Sequence, residues 1–256
     1  MKQTLSRMPF ILLVAAMVLT ACSPSRQSSA SGSPSAPYGS KQQTVTPMRF
    51  EEKGDGPIYK LTADIPTIVG SEDPHAQLFN SLTYAIFQAY ENEFIAAVQE
   101  MPVEPVSSGS TMDIQYTLVS PPGDSIISIN YLVTGYADGA TDKFHNSRSF
   151  NFNIESGQEV TLAQLFLSGV DYLNPIAQIC STELSSRIKD FGAFAGGVEA
   201  NEENYQVWNV SADGLVITFD ETQISTNATG PQKVTIPYEK LKDIIDPQGP
   251  IGKYIR

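Results

Sequence analysis

Four stretches of this chain alternate apolar and polar residues with a period of two, and that rhythm restricts its fold more than any other feature. Met112, Ile114, Tyr116 and Leu118 are set against Asp113, Gln115 and Thr117. Ile127, Ile129, Tyr131 and Val133 are set against Ser128, Asn130 and Thr134, and Phe150, Phe152 and Ile154 against Asn151 and Asn153. Leu215, Ile217 and Phe219 follow an Asp213-Gly214 turn signal. Successive side chains of a strand point to opposite faces, so each stretch predicts a strand with one apolar and one wet face, the mark of antiparallel sheet. Ile58 to Ile65 adds a strand with Tyr59, Leu61, Ala63 and Ile65 on one face, stopped by Pro66, and Gln232 to Ile236 a last short one.

Helical spacing appears twice at length. Asp73 can cap a helix and Pro74 suits its first position. Phe79, Leu82, Ile86, Ala89, Glu93 and Ala97 then recur at intervals of three and four, widened by Tyr90 and Phe94, up to about Glu100 before Pro102. Asn174-Pro175 opens a second helix with Ile176, Cys180, Leu184 and Ile188 on its buried stripe and Gly192 as its stop. A short closing helix is expected from Tyr238 to Ile245, ahead of Pro247. The order of elements predicts an α+β fold, an antiparallel sheet packed against two main helices.

The first residues read as an address. Lys2 and Arg7 precede the apolar run Phe10 to Leu19, which is short for a spanning helix and suits the core of a signal peptide. It runs into Leu19-Thr20-Ala21-Cys22, similar to the bacterial lipobox, which makes Cys22 the expected site of lipid attachment. Ser23 to Pro47, rich in Ser, Pro and Gly, has little that can offset the entropy of ordering a backbone. The expected organisation is a signal peptide over 1–21 and a disordered tether over 22–47. A small strand-helix part follows over 48–105, an α+β domain over 106–246 and a C-terminal tail over 247–256. The expected location is a cell membrane, lipid-anchored on its extracytoplasmic face.

A net charge of −12 excludes a nucleic-acid partner that needs basic surface to neutralise phosphates. Two cysteines make no disulfide scaffold, and two histidines leave little for a His-rich metal centre, so no metal or other cofactor is expected. Nucleophile elbow, phosphate loop and zinc-protease motifs are missing from the sequence. Asp138, Asp142 and His145 share a polar loop between two strands, where recognition commonly resides, and are the candidate ligand-binding residues. Their spacing matches no EF-hand loop, and a solvated hairpin loop is the plainer alternative. Cys180 on an apolar stripe reads as a small hydrophobe, and His75 as a surface residue in a first helical turn. Tyr205 and Trp208 read as core residues or as a stacking platform. Asn209-Val-Ser211 and Asn227-Ala-Thr229 fit the glycosylation pattern without force in a bacterial chain.

Five segments in order carry a resemblance: Ser128-Ile-Asn-Tyr-Leu-Val-Thr-Gly-Tyr-Ala137, Ser149-Phe-Asn-Phe-Asn-Ile-Glu-Ser-Gly157, Val160-Thr-Leu-Ala-Gln-Leu-Phe166, Asp213-Gly-Leu-Val-Ile-Thr-Phe219 and Ala228-Thr-Gly-Pro-Gln-Lys-Val-Thr-Ile-Pro-Tyr-Glu-Lys-Leu241. This series resembles the extracytoplasmic domain shared by the anti-sigma factor RsiV and the non-catalytic part of PdaC-type peptidoglycan deacetylases. Ile58 to Glu100 resembles the smaller domain that precedes it there, so the likeness covers about residues 56 to 246. It implies a binding or sensing module. In RsiV the domain recognises lysozyme, and in the deacetylases a separate domain does the chemistry. Members often carry an Ala-His-Pro or Gly-Ala-His element after the Tyr-rich strand, where this chain has Ala137-Asp138-Gly139-Ala140-Thr141. Signalling to a sigma factor is not expected of this chain.

The expected function is therefore non-catalytic binding or sensing in the bacterial envelope, with a lysozyme-like protein or a peptidoglycan glycan as partner. The alternative is a hydrolase or deacetylase of envelope polymers that uses carboxylates drawn together by the fold.

Overall fold

The computed structural model describes residues 36–39, 43–100, 108–189, 191–225 and 230–256. The apolar run, Cys22, most of the expected tether and Asn227 lie outside them.

Seven strands form one sheet in sequence order: β1 (Ala36–Tyr38), β2 (Gln43–Asp55), β3 (Ile58–Ile68), β4 (Ser110–Leu118), β5 (Ile126–Tyr136), β6 (Phe144–Asn153) and β7 (Gln158–Glu159). The expected tether is thus shorter than 22–47, because β1 and the start of β2 are already strand. Tyr38 and Val45 are wholly buried, which supplies the apolar contact that makes ordering this stretch worthwhile. Nor does the sheet break near residue 105, since β3 pairs directly with β4.

That β3–β4 pair is parallel, with Leu61 opposite Met112 and Ala63 opposite Ile114, so the sheet is mixed where a purely antiparallel one was expected. The cause is α1 (Pro74–Gln99), a 26-residue helix between the two strands. It carries the chain back along the sheet, so β4 starts beside the start of β3, which is how parallel neighbours are joined. Asp73 caps α1 as expected, its carboxylate accepting the His75 N–H at 2.9 Å, a contact worth about 1 kcal/mol. Ala76, Phe79, Thr83, Ile86, Phe87, Phe94 and Val98 face the sheet, whereas Ala89, Glu93 and Ala97 are exposed. Phe79, Phe87 and Phe94, rather than Ala89, Glu93 and Ala97, therefore carry the middle and end of the buried stripe. The first core gathers these residues with Leu61, Ile65, Ile114, Ile129, Tyr131, Phe150 and Phe152.

A second layer comes from the rest of the chain. β8 (Trp208–Val210), β9 (Leu215–Phe219) and β10 (Gln232–Ile236) make a separate three-stranded antiparallel sheet. The second helix, α2 (Leu173–Arg187), packs on it through Ile176, Cys180 and Leu184. The two helices thus serve two sheets. α2 ends at Arg187, short of Gly192, and Phe191–Val198 forms a 3-10 helix instead. Tyr238–Lys240 is likewise a single 3-10 turn where a longer closing helix was expected.

The face of β5 and β6 that reads as wet in sequence is covered where the two layers meet. β8 lies across it and is held by hydrogen bonds. Asn209 donates to Ser128 Oγ at 3.0 Å and to the Ile129 carbonyl at 2.9 Å. Asn130 donates to Asn209 Oδ1 at 3.3 Å, Ser128 to Asn151 Oδ1 at 2.5 Å, and Asn151 to the Trp208 carbonyl at 2.9 Å. Ser128, Asn130, Asn151 and Asn209 are all buried. Period-two polarity reports which side chains share a face, and a face of Ser and Asn is as able to bond another strand as water.

The expected C-terminal tail is also part of the fold. Ile251 is fully buried and Tyr254 stacks on Tyr238 at 4.7 Å. The Tyr254 hydroxyl and the Lys253 ammonium both donate to the buried carboxylate of Asp124, in the turn between β4 and β5.

Candidate functional site

Where the last turns of α1 overhang the sheet, a groove of about 250 Å³ opens between Phe94, Ala97 and Val98 above and Met112, Val133, Tyr136 and Phe144 below. Tyr90, Glu93, Ser110 and Asn146 line it as well. An open apolar concavity with a few polar groups at its margin is the usual form of a binding site. Gly135 helps to shape it. A Cβ there would stand 2.2 Å from the Phe144 ring and 2.7 Å from the Thr111 carbonyl. Without one, Phe144 lies across β5 and supplies a groove wall.

The loop between β5 and β6 borders the same groove, since Tyr136, Ala137 and Phe144 line it at either end of the loop. Asp138 is pinned: its carboxylate accepts from Ser108 Oγ at 3.0 Å, and its N–H donates to Ser110 Oγ at 3.0 Å. Asp142 is exposed at the loop tip. His145 turns to the other face of β6, where its Nδ1 lies 3.1 Å from Glu221 Oε2. The three candidate residues therefore share a loop but do not converge. Among the described residues there is no group of three or more His, Cys, Asp or Glu side chains placed to hold a metal ion.

Two residues that the sequence did not single out organise this region. β7 covers β6 only at Phe152 and Asn153, which leaves the outer N–H groups of the earlier part of β6 in need of acceptors. Asp220 Oδ1 accepts from Ser147 N at 2.8 Å, and Glu221 Oε1 from His145 N at 3.3 Å. Burial pushes the Asp220 carboxyl above its ordinary range, with Glu221 adding to the effect and the Ser147 bonds opposing it. Arg148, on the opposite face of β6, lies close to Tyr90 and Tyr131, and the fully buried Tyr131 hydroxyl has no hydrogen-bond partner among the described residues. In sequence Asp220 and Glu221 look like ordinary turn residues after a strand, and nothing local marks their role.

The adjacent carboxylates of Asp220 and Glu221 are committed to backbone N–H groups and to His145 rather than facing one another across a cleft. Cys180 is fully buried, and that burial pushes its thiol up to about 12, far from a nucleophile's range. Tyr205 and Trp208 are core residues, and Asn209 is 1% exposed, closed to glycosylation.

Comparison with known proteins places this geometry among relatives. The family described as "Protein of unknown function (DUF3298)" matches residues 163–239. The chain is 23% identical over 162 residues to the peptidoglycan-N-acetylmuramic acid deacetylase PdaC of Bacillus subtilis, covering 61% of this chain and 34% of that enzyme. The chain thus spans about a third of that relative's length. It is 21% identical over 240 residues to the immunogenic proteins MPB64 of Mycobacterium bovis and MPT64 of Mycobacterium tuberculosis, covering 93% of this chain and 99% of each. A DUF3298 family structure from Bacteroides fragilis aligns with a TM-score of 0.62 at 14% identity, over 86% of this chain and 99% of that one. One from Pseudomonas aeruginosa aligns at 0.58 and 13% identity, over 80% and 95%. At these identities the structural likeness shows a shared fold.

Proposed function

We propose that this chain is a non-catalytic, RsiV-like binding or sensing protein of the bacterial cell envelope, held at a membrane by lipid on Cys22, which captures a cationic protein such as lysozyme. The observation that carries this reading is the apolar groove under α1 with acidic groups at its margin. Phe94, Val98, Met112 and Phe144 offer a seat for an apolar anchor, Glu93 lines it with negative charge, and Asp138 and Asp142 lie in the loop that adjoins it. In a chain of net charge −12, such a margin favours encounter with a basic partner and makes the on-rate sensitive to salt. The 13 residues between Cys22 and Ala36, if they form the flexible Ser/Pro/Gly tether their composition suggests, would reach about 20 Å, enough to clear a headgroup layer.

The test is a binding measurement on the chain from Ser23 onward, against c-type lysozyme and against purified peptidoglycan, at two salt concentrations. Saturable lysozyme binding is expected, weaker at high salt and weaker again when Glu93 and Asp142 are both changed to Lys. Binding to peptidoglycan alone would replace the protein partner with a wall glycan and justify a turnover assay. Binding to neither would overturn the reading.

A further inference from the structure

Beyond β1, one edge of the seven-stranded sheet is formed by β2. Among the described residues, β1 covers it only at Gln43–Val45, and from Thr46 to Asp55 no other strand lies along its outer side. An edge strand directs every second N–H and C=O outward, a ready template for another strand. Charge commonly guards such edges, and β2 carries Arg49, Glu51, Lys53 and Asp55 at alternate positions, which puts all four on one face of the sheet. Glu51, Lys53 and Asp55 are exposed.

The order of these charges selects a partner. Positive and negative residues alternate, and a row of that kind is complementary to itself when run antiparallel in one register. With Arg49 opposite Asp55 of a second copy, Glu51 falls opposite Lys53, and a two-fold axis repeats both pairs. Sliding the copies by one residue each sets Arg49 against Lys53 and Glu51 against itself. Sliding them the other way sets Glu51 against Asp55 and Lys53 against itself. Like charges directly opposite one another are destabilising, so the row favours one register and opposes its neighbours. Within the chain Lys53 already pairs with Glu51 at 2.9 Å and Arg49 with Asp64 at 3.3 Å, and the pairs across the axis would extend these networks.

The other face of β2 agrees with the same register. Phe50, packed on Phe87 with ring centroids 4.6 Å apart, falls opposite Gly54. A Cβ on Gly54 would stand 2.1 Å from the Tyr59 ring, so Tyr59 lies over this glycine. Phe50 of one copy thus meets Tyr59 of the other, an aromatic contact across the seam. Farther out, Pro47 faces Pro57, neither of which has an N–H, and the pairing ends there. The cost falls on the axis, where Glu52 faces its own copy while accepting from the Tyr59 hydroxyl at 2.5 Å.

We infer that β2 is the seam of a two-fold homodimer, in which two copies join their sheets antiparallel over residues 49–55. The inference does not depend on what the groove binds. So short a seam makes a weak interface, with a Kd between about 10 μM and about 1 mM.

The test is sedimentation of the chain from Ser23 onward across that concentration range, where a reversible monomer–dimer equilibrium is expected. Lys53→Glu places carboxylates opposite each other on both sides of the axis and should weaken association by more than about tenfold. Adding Glu51→Lys to it restores opposite signs and should recover most of the loss, a rescue that general charge repulsion would not produce. Glu52→Cys puts two thiols at the axis with Cα atoms about 5 Å apart, within disulfide reach, so mild oxidation should link the dimer far faster than it links Glu183→Cys, exposed on α2. A monomer throughout the range would overturn the inference, whether the edge stays bare or another segment of the same chain covers it. A dimer indifferent to Lys53→Glu, or Glu52→Cys linking no faster than Glu183→Cys, would overturn it as well.

Discussion

Replacing Asn209 with Leu tests whether the two layers are joined by the buried polar seam. Asn209 is 1% exposed and makes three hydrogen bonds, to Ser128 Oγ at 3.0 Å, to the Ile129 carbonyl at 2.9 Å and from Asn130 Nδ2 at 3.3 Å. Leu matches the volume closely, so little of the effect would come from a cavity. Each neutral bond contributes about 1 kcal/mol net, which puts the loss at about 3 kcal/mol, with more if the Asn130 amide is left without an acceptor. For a folded chain of this size that corresponds to a fall in Tm of about 6–12 °C. Urea and thermal unfolding of the chain from Ser23 onward would measure it. Ser128→Ala supplies the partner for a double-mutant cycle, because Ser128 Oγ accepts from both Asn209 and the Val210 N–H at 3.0 Å. Coupling of about 1 kcal/mol or more is expected between the two positions. A loss below about 1 kcal/mol, or strict additivity with Ser128→Ala, would refute the claim that these bonds hold the seam.

Three further outcomes are expected. Cys180, buried and with its thiol raised to about 12, should resist a thiol reagent at pH 8 in a Cys22→Ser chain and react promptly after unfolding; fast labelling of the native chain would show that α2 opens readily. The folded-state pKa of Asp220 is raised above its unfolded value, so its contribution to stability is present below the ordinary carboxylate range and lost as pH rises through the raised value. The stability of Asp220→Asn relative to wild type should therefore increase between pH 4 and pH 7, and denaturant curves showing a flat difference would contradict it. Deleting Ile251 to Arg256 removes a buried core residue and both side-chain donors to the Asp124 carboxylate, a loss of about 3–5 kcal/mol that a melting curve would register, and an unchanged Tm would return this segment to the status of a loose tail.

Much of the architecture was legible because backbone geometry writes itself into spacing. β9 and β10 could be read directly, and α1 starts at the Asp73-Pro74 signal. The parallel β3–β4 pair was legible in principle, since a strand, a 26-residue helix and a strand form a crossover, but attention to each strand's alternation hides what joins them. β2 was hidden for a different reason. Glu51, Glu52, Lys53 and Pro47 give it the composition of a loop, as charges and proline do on strands near a sheet margin. The burial of Ser128, Asn130 and Asn151 left no trace at all, because the same residues would suit a solvated face. The groove was beyond reach because its walls come from α1, β4, β5 and β6, and only the fold brings Phe94 over Phe144. The loop of Asp138 and His145 was found by its polarity, yet what fixes His145 is Glu221, 76 residues away.

The cluster on Asp124 has a consequence for how the molecule is presented. Its carbonyl accepts the Gly39 N–H at 2.8 Å, while its carboxylate receives Lys253 and Tyr254, so the first described strand and the last residues of the chain meet at one corner. β5 starts beside that corner at Ile126 and runs 11 residues to Tyr136 at the groove, a span of about 35 Å. The two described ends of the chain thus lie at one end of β5 and the groove at the other. A partner or anchor attached at residue 36 would therefore leave the groove, at the far end of β5, turned away from the point of attachment.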